Sequence, residues 1–163
     1  MTGISLFDVI GPNMVGPSSS HTAGAVSMAL LARKIFYKEE KTKEQLMKRV
    51  DFTLYGSFAK TYKGHGTDRA LLGGILGFAT DDLRIRDAFS YAGREGLEYT
   101  FTLSEEKDVH PNTADMDIAG KDGRHLFVRG ISLGGGKVKI ARLNQIEVDF
   151  TGEYSTLIVS QTD

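Results

Sequence analysis

The sequence contains no cysteine. It therefore forms no disulfide, offers no thiolate nucleophile and supplies no ligand of its own to an iron–sulfur cluster. No stretch approaches the roughly 20 apolar residues that a membrane span needs. The opening "MTGISLFDVIGPN" lacks both a basic n-region and a continuous hydrophobic run, so no signal peptide is expected. Neither sign of charge is in excess: 20 basic against 21 acidic residues leave a formal net charge of −1. That removes the basic field on which nucleic-acid binding relies. With 163 residues, 40% of them hydrophobic, the chain has enough apolar matter for one real core. The expectation is a single cytoplasmic domain, with no nucleic acid and no membrane among its partners.

Glycine is the residue in excess. Nineteen of 163 residues are glycine, about 12% against a usual ~7%. They cluster at 64–66, 73–74 and 134–136, where tight turns or a close backbone approach are expected.

The first half of the chain reads as helical. Residues 22–37 are apolar nearly all round as far as Leu31 and then gain Arg33, Lys34 and Lys38. Such a helix is buried on several sides, with its basic end at the negative pole of the dipole. Thr42 and Gln45 form a capping box that predicts a short helix over "TKEQLMKR". Val50, Phe52 and Leu54 alternate with Asp51 and Thr53 in a half-buried strand. Thr67 is placed to cap a helix through "DRALLGGILGF", whose glycines permit close packing. Another helix over "RIRDAFSYAGREG" ends at Gly96.

Period two dominates the second half. Leu97, Tyr99, Phe101 and Leu103 alternate with polar residues, and further strands follow at "DMDIAG", "HLFVRGIS", "KVKIAR" and "QIEVDF". Their joints are Asp122-Gly123, Gly134-Gly135-Gly136 and Leu143-Asn144, too short for crossover helices. The expected fold is α+β, an antiparallel sheet with helices packed on one face. Residues 1–150 form this domain. The apolar run Leu157–Val159, within 151–163, reads as a linker and the first strand of something further.

Three clusters could carry chemistry. "GPSSSHTAG", residues 16–24, sets Ser18, Ser19, Ser20, His21 and Thr22 at the head of the apolar helix. One serine suffices for a cap. Five polar side chains beside free N–H groups and the positive end of the dipole suit a phosphate or carboxylate better. In "YKGHGTDRA", His65 stands between two glycines just before Asp68, a carboxylate able to set its tautomer and raise its basicity. In "HPNTADMD", His110 and Asn112 lie in a turn entering a strand, whereas His125 lies within a strand and reads as structural. His21, His65 and His110 lack the compact spacing of a zinc site, so no metal site is expected in this chain. There is neither a P-loop nor a G-x-S-x-G elbow.

The motifs "GPSSSHTAG", "GSFAKTYKGHGTDRALLGGILGF", "HPNT" and "SLGGG" follow one another in an order that resembles the β domain of iron–sulfur-dependent L-serine dehydratases, over residues 3–150. The resemblance implies a lyase that converts L-serine to pyruvate and ammonia without pyridoxal phosphate. In it a [4Fe–4S] cluster acts as Lewis acid on the serine hydroxyl while a base removes the α-proton. Since this chain has no cysteine, the cluster would be ligated by an α subunit, and this chain would be active only with that partner. A homo-oligomeric assembly is also expected. The family points to Ser18, Ser19, Ser20, His21 and Thr22 as holders of the substrate carboxylate, with Asn112 as a further substrate contact. His65 is the candidate general base, oriented by Asp68.

In this family an ACT regulatory domain often follows, and "YSTLIVSQTD" resembles its first strand. The β domain is also similar to the allosteric substrate-binding domain of some phosphoglycerate dehydrogenases. That similarity supplies a rival reading, an amino-acid sensor with no catalytic share. A third reading, a protein–protein adaptor, has no small-molecule site at all. The accessible His65 favours catalysis over the sensor reading.

Overall fold

In the computed structural model, residues 13–37 and 46–152 are described. The predicted capping box at Thr42 and Gln45, the N-terminal segment to residue 12 and the apolar strand at 157–159 lie outside them.

The helix headed by the serine cluster opens with a π turn, Ser19–Ala23, and continues as α1, Gly24–Tyr37. Its apolar residues Ala25, Val26, Met28, Ala29, Ala32 and Phe36 are buried, as a helix packed on several sides requires. Strand β1, Met47–Leu54, follows, so Met47, Lys48 and Arg49 are extended where the capping box predicted helix. Met47 and Val50 are fully buried core residues, and burial in the sheet overrides the local helical signal. Then come α2, Gly56–Thr61; α3, Thr67–Ile75; a 3₁₀ turn, Leu83–Asp87; and α4, Ala88–Glu95, which ends at Gly96 as expected. Strands β2, Glu98–Leu103; β3, Thr113–Gly120; β4, His125–Gly134; β5, Lys137–Leu143; and β6, Ile146–Phe150 complete the described chain.

The strand order is β2-β1-β3-β4-β5-β6. Strands β3 to β6 form the expected antiparallel meander. The sheet as a whole is mixed, because β2 pairs with β1 in parallel, Arg49 opposite Glu98 through Leu54 opposite Leu103. This corrects the expectation of an antiparallel sheet. Helices α2 to α4 lie between these two strands in the chain, and a crossover of that length permits parallel pairing.

One face of the sheet carries Val50, Phe52, Leu54, Ala114, Met116, Ile118 and Val128, all fully buried. Helix α1 lies against it over β3, β4 and β5, with α3 packed on α1 and α4 on α3. Gly74 makes the α1–α3 contact possible: a Cβ there would stand 2.6 Å from both Ala29 Cβ and the Val26 carbonyl. The other face is polar. Arg49 pairs with Asp51, His125 with Asp117 and Arg129 with Asp115. His125 is thus a strand residue on the polar face, the structural place expected for it. No helix among the described residues is long and apolar enough to cross a membrane.

Candidate active site

The N-terminus of the long helix has an unusual shape. Ser18 is extended, and its hydroxyl accepts the His21 amide N–H at 3.1 Å. The Ser18 carbonyl accepts from both Thr22 N, at 2.9 Å, and Ala23 N, at 3.4 Å. The turn is therefore one residue wider than an α-helical turn, a distortion frequently found at functional sites. Gly24 is where the chain returns to α geometry, and a Cβ there would collide with Ser132 of β4. Glycine thus lets the serine turn sit directly on the sheet.

His21 is the hub. Its Nδ1 lies 3.0 Å from Ser20 Oγ and 3.2 Å from Ser18 Oγ, and its Nε2 lies 2.8 Å from Ser57 Oγ. The ring meets Phe58 edge-on at 5.3 Å and His65 edge-on at 4.8 Å between centroids. Burial, and secondarily the nearness of His65, push the His21 pKa below its ordinary value. His21 is accordingly a neutral hydrogen-bonding group at pH 7 rather than a fixed cation.

His65 arrives on the loop between α2 and α3. Its amide donates to the Thr61 carbonyl at 2.9 Å, and its own carbonyl accepts the Thr22 hydroxyl at 3.0 Å. Thr22 is almost fully buried, so its hydroxyl ties the two clusters together instead of facing a ligand. The Nδ1 of His65 is buried without a hydrogen-bond partner. The expected Asp68–His65 contact is absent. Asp68 is buried, its Oδ1 accepts the Arg69 amide N–H at 2.8 Å, and desolvation raises its pKa. Nor does Thr67 cap α3. Gly66, at φ 67°, takes the cap position, and the Thr67 hydroxyl is buried without a partner.

The "HPNT" loop closes the third side. The Pro111 carbonyl accepts the amide N–H groups of Ser57, at 2.7 Å, and Phe58, at 3.2 Å. The Asn112 carbonyl accepts from Ser132 N at 3.0 Å, and the Asn112 amide donates to His110 Nδ1 at 3.2 Å. Asn112 is thereby placed beside the site through its backbone. Behind it, Tyr55 donates its hydroxyl to Asp115 at 2.7 Å, and Arg129 grips both Asp115 oxygens at 2.7 Å. Burial and Asp115 push the Tyr55 phenol up to about 12. This network clamps the β1–α2 junction from which Ser57 projects.

The structure thus gathers Ser18, Ser19, Ser20, His21 and His65, with Asn112 one loop away. Two contributors were not anticipated, Ser57 and Ser132. The Ser57 signal was present in the sequence as one hydroxyl between Gly56 and Phe58, indistinguishable there from an ordinary helix start. Among the described residues no group of three or more His, Asp or Glu side chains is placed to hold a metal ion.

Comparison with known proteins identifies the lineage. A profile of the family described as "Serine dehydratase beta chain" matches residues 5–142. An L-serine dehydratase beta chain of Peptoniphilus asaccharolyticus is 48% identical over 160 residues, covering 98% of this chain and 69% of the relative. A Bacillus subtilis protein named "Probable L-serine dehydratase, beta chain" is 45% identical, with 98% and 69% covered. An L-serine dehydratase of Streptomyces coelicolor is 40% identical over 121 residues, covering 68% of this chain and 26% of the relative. The chain belongs to the serine dehydratase beta chain family.

Proposed function

We propose that this beta chain supplies the substrate-holding half of a two-chain L-serine dehydratase and brings to it a general base, His65. The reading is carried by the meeting of the serine turn with His65, two imidazoles 4.8 Å apart at the head of a long helix. Ser19 and Ser20 bring their backbone amides, and Ser19 its hydroxyl, to the positive end of the dipole, where a carboxylate is stabilised. His21, kept neutral, contributes a directed N–H instead of a charge. An imidazole on a glycine-flanked loop beside that site has the reach and chemistry to take an α-proton.

A [4Fe–4S] cluster does not fit the residues of this chain, which has no cysteine. We place its thiolates on an α partner, so that catalysis requires an interface. The sensor reading, by analogy with the allosteric substrate-binding domain of phosphoglycerate dehydrogenases, accounts for the serine turn but leaves the placement of His65 without a purpose.

Reconstitution tests the division of labour. The purified chain should be colourless and inert toward L-serine, and pyruvate should form once an anaerobically prepared, cysteine-bearing α chain is added. Dehydratase activity from this chain with the partner rigorously absent would sink the proposal.

A further inference from the structure

We propose that Ser57 is a further substrate-contacting residue, its hydroxyl proton directed by His21 toward the carboxylate of the amino acid. The inference rests on the reading of the serine turn as a carboxylate site. Ser57 Oγ lies 2.8 Å from His21 Nε2 and has no other hydrogen-bond partner among the described residues. The residue is partly exposed, and its hydroxyl keeps bonding capacity beyond the one bond to His21. Its backbone is fixed at both ends: the amide donates to Pro111 O at 2.7 Å, and the carbonyl accepts the Thr61 hydroxyl at 2.8 Å. Gly56, at φ 49°, leaves no room for a Cβ, which would stand 2.6 Å from Pro111 Cα. The hydroxyl is therefore held in place before any ligand arrives.

The direction of its proton follows from counting donors. A neutral imidazole has one N–H, and the partner of each nitrogen decides which one carries it. On the Nδ1 side, Ser18 Oγ already accepts the His21 amide and lies 3.3 Å from Ser20 Oγ. Ser18 can donate to Ser20, and Ser20 to Nδ1, at 3.0 Å. Nε2 then carries the proton and donates it to Ser57. Along this series of hydrogen bonds from Ser18 to Ser57, the protons of Ser18, Ser20 and His21 are all engaged within the protein, and that of Ser57 is left for a ligand. Running the chain backward would turn Ser57 lone pairs toward a carboxylate, which repels them. Binding of an anion therefore selects the Nε2–H tautomer, and each bond polarises the next.

The test uses the assembled two-chain enzyme, with Ser57→Ala, Ser57→Thr and Ser19→Ala made in parallel and their folding checked by circular dichroism. Loss of one hydrogen bond to a charged group should raise KM for L-serine about ten- to a hundredfold in Ser57→Ala, with kcat little changed. Ser57→Thr, which keeps the hydroxyl, should restore most of it. The ¹⁵N shifts of His21 should report Nε2–H in wild type saturated with L-serine, and a mixture of tautomers in Ser57→Ala. If Ser19→Ala raises KM and a folded Ser57→Ala does not, this inference fails while the carboxylate site stands. If neither moves KM, the carboxylate reading fails with it. An Nδ1–H tautomer in the serine-bound enzyme overturns the proposed direction.

Discussion

In the serine turn, the hydroxyls of Ser18 and Ser20 and both ring nitrogens of His21 are hydrogen-bonded within the protein. In the loop that faces it, His65 Nδ1 and Thr67 Oγ1 are buried with no partner. Each such atom typically costs about 1–3 kcal/mol. The two regions are joined by the Thr22–His65 bond, so they share one local environment and differ in how fully their polar groups are satisfied. The turn's hydroxyl–imidazole network is satisfied within the protein, which is the pre-organisation that the proposed binding role calls for. The loop leaves polar capacity unspent at two atoms shielded from solvent.

The largest test of that contrast is made on the loop. His65→Asn in the assembled enzyme should lower kcat about 10²–10⁴-fold with little change in KM. An α-deuterium isotope effect on serine should change with it. A variant with near-normal kcat would move the base to the α chain and leave this chain a clamp. A smaller effect of a different kind is expected in the turn. Ser19→Ala should raise KM about ten- to a hundredfold and spare kcat. An equal fall in kcat would mean that the two regions do not divide the work.

The smallest effect concerns stability. Burial and the neighbouring imidazole hold the His21 pKa below 6.5. Below pH 6.5 the unfolded chain therefore binds more protons at this position than the folded one, so stability rises with pH through that window. The contribution is complete above about 6.5 and is lost as the pH falls toward the folded value. Urea-unfolding free energies measured from pH 7 downward should decline more shallowly in His21→Asn than in wild type. Parallel declines would assign the acid sensitivity to other groups.

What the sequence revealed follows the range of the interactions involved. Alternation in Leu97–Leu103 and the turn glycines placed the strands and the meander, because each depends on residues a few positions apart. Asn144, at φ 50°, is a turn residue that local chemistry could announce. The parallel partnership of β1 and β2 was invisible because period two is the same for either direction of pairing. The capping box misled at Met47–Arg49 because it knows nothing of the sheet that buries Met47. The three histidines seemed unrelated when judged by spacing along the chain, yet folding sets two of their rings edge to edge. The Thr67 assignment failed for a more local reason: Gly66 reaches the left-handed conformation at the helix start at little cost.

The parallel β1–β2 pair also bears on the order in which the molecule assembles. That pairing joins Arg49 to Glu98, and the segment it encloses carries Ser57 and His65. Hairpins between β3 and β6 close over short loops, whereas this closure must first draw together the ends of a long one. The hydrogen bonds that build the site span similar distances, 36 residues for His21–Ser57 and 43 for Thr22–His65. A refolding chain can thus hold most of its meander while the residues of the candidate site are still scattered, and the site is completed by contacts that close long loops.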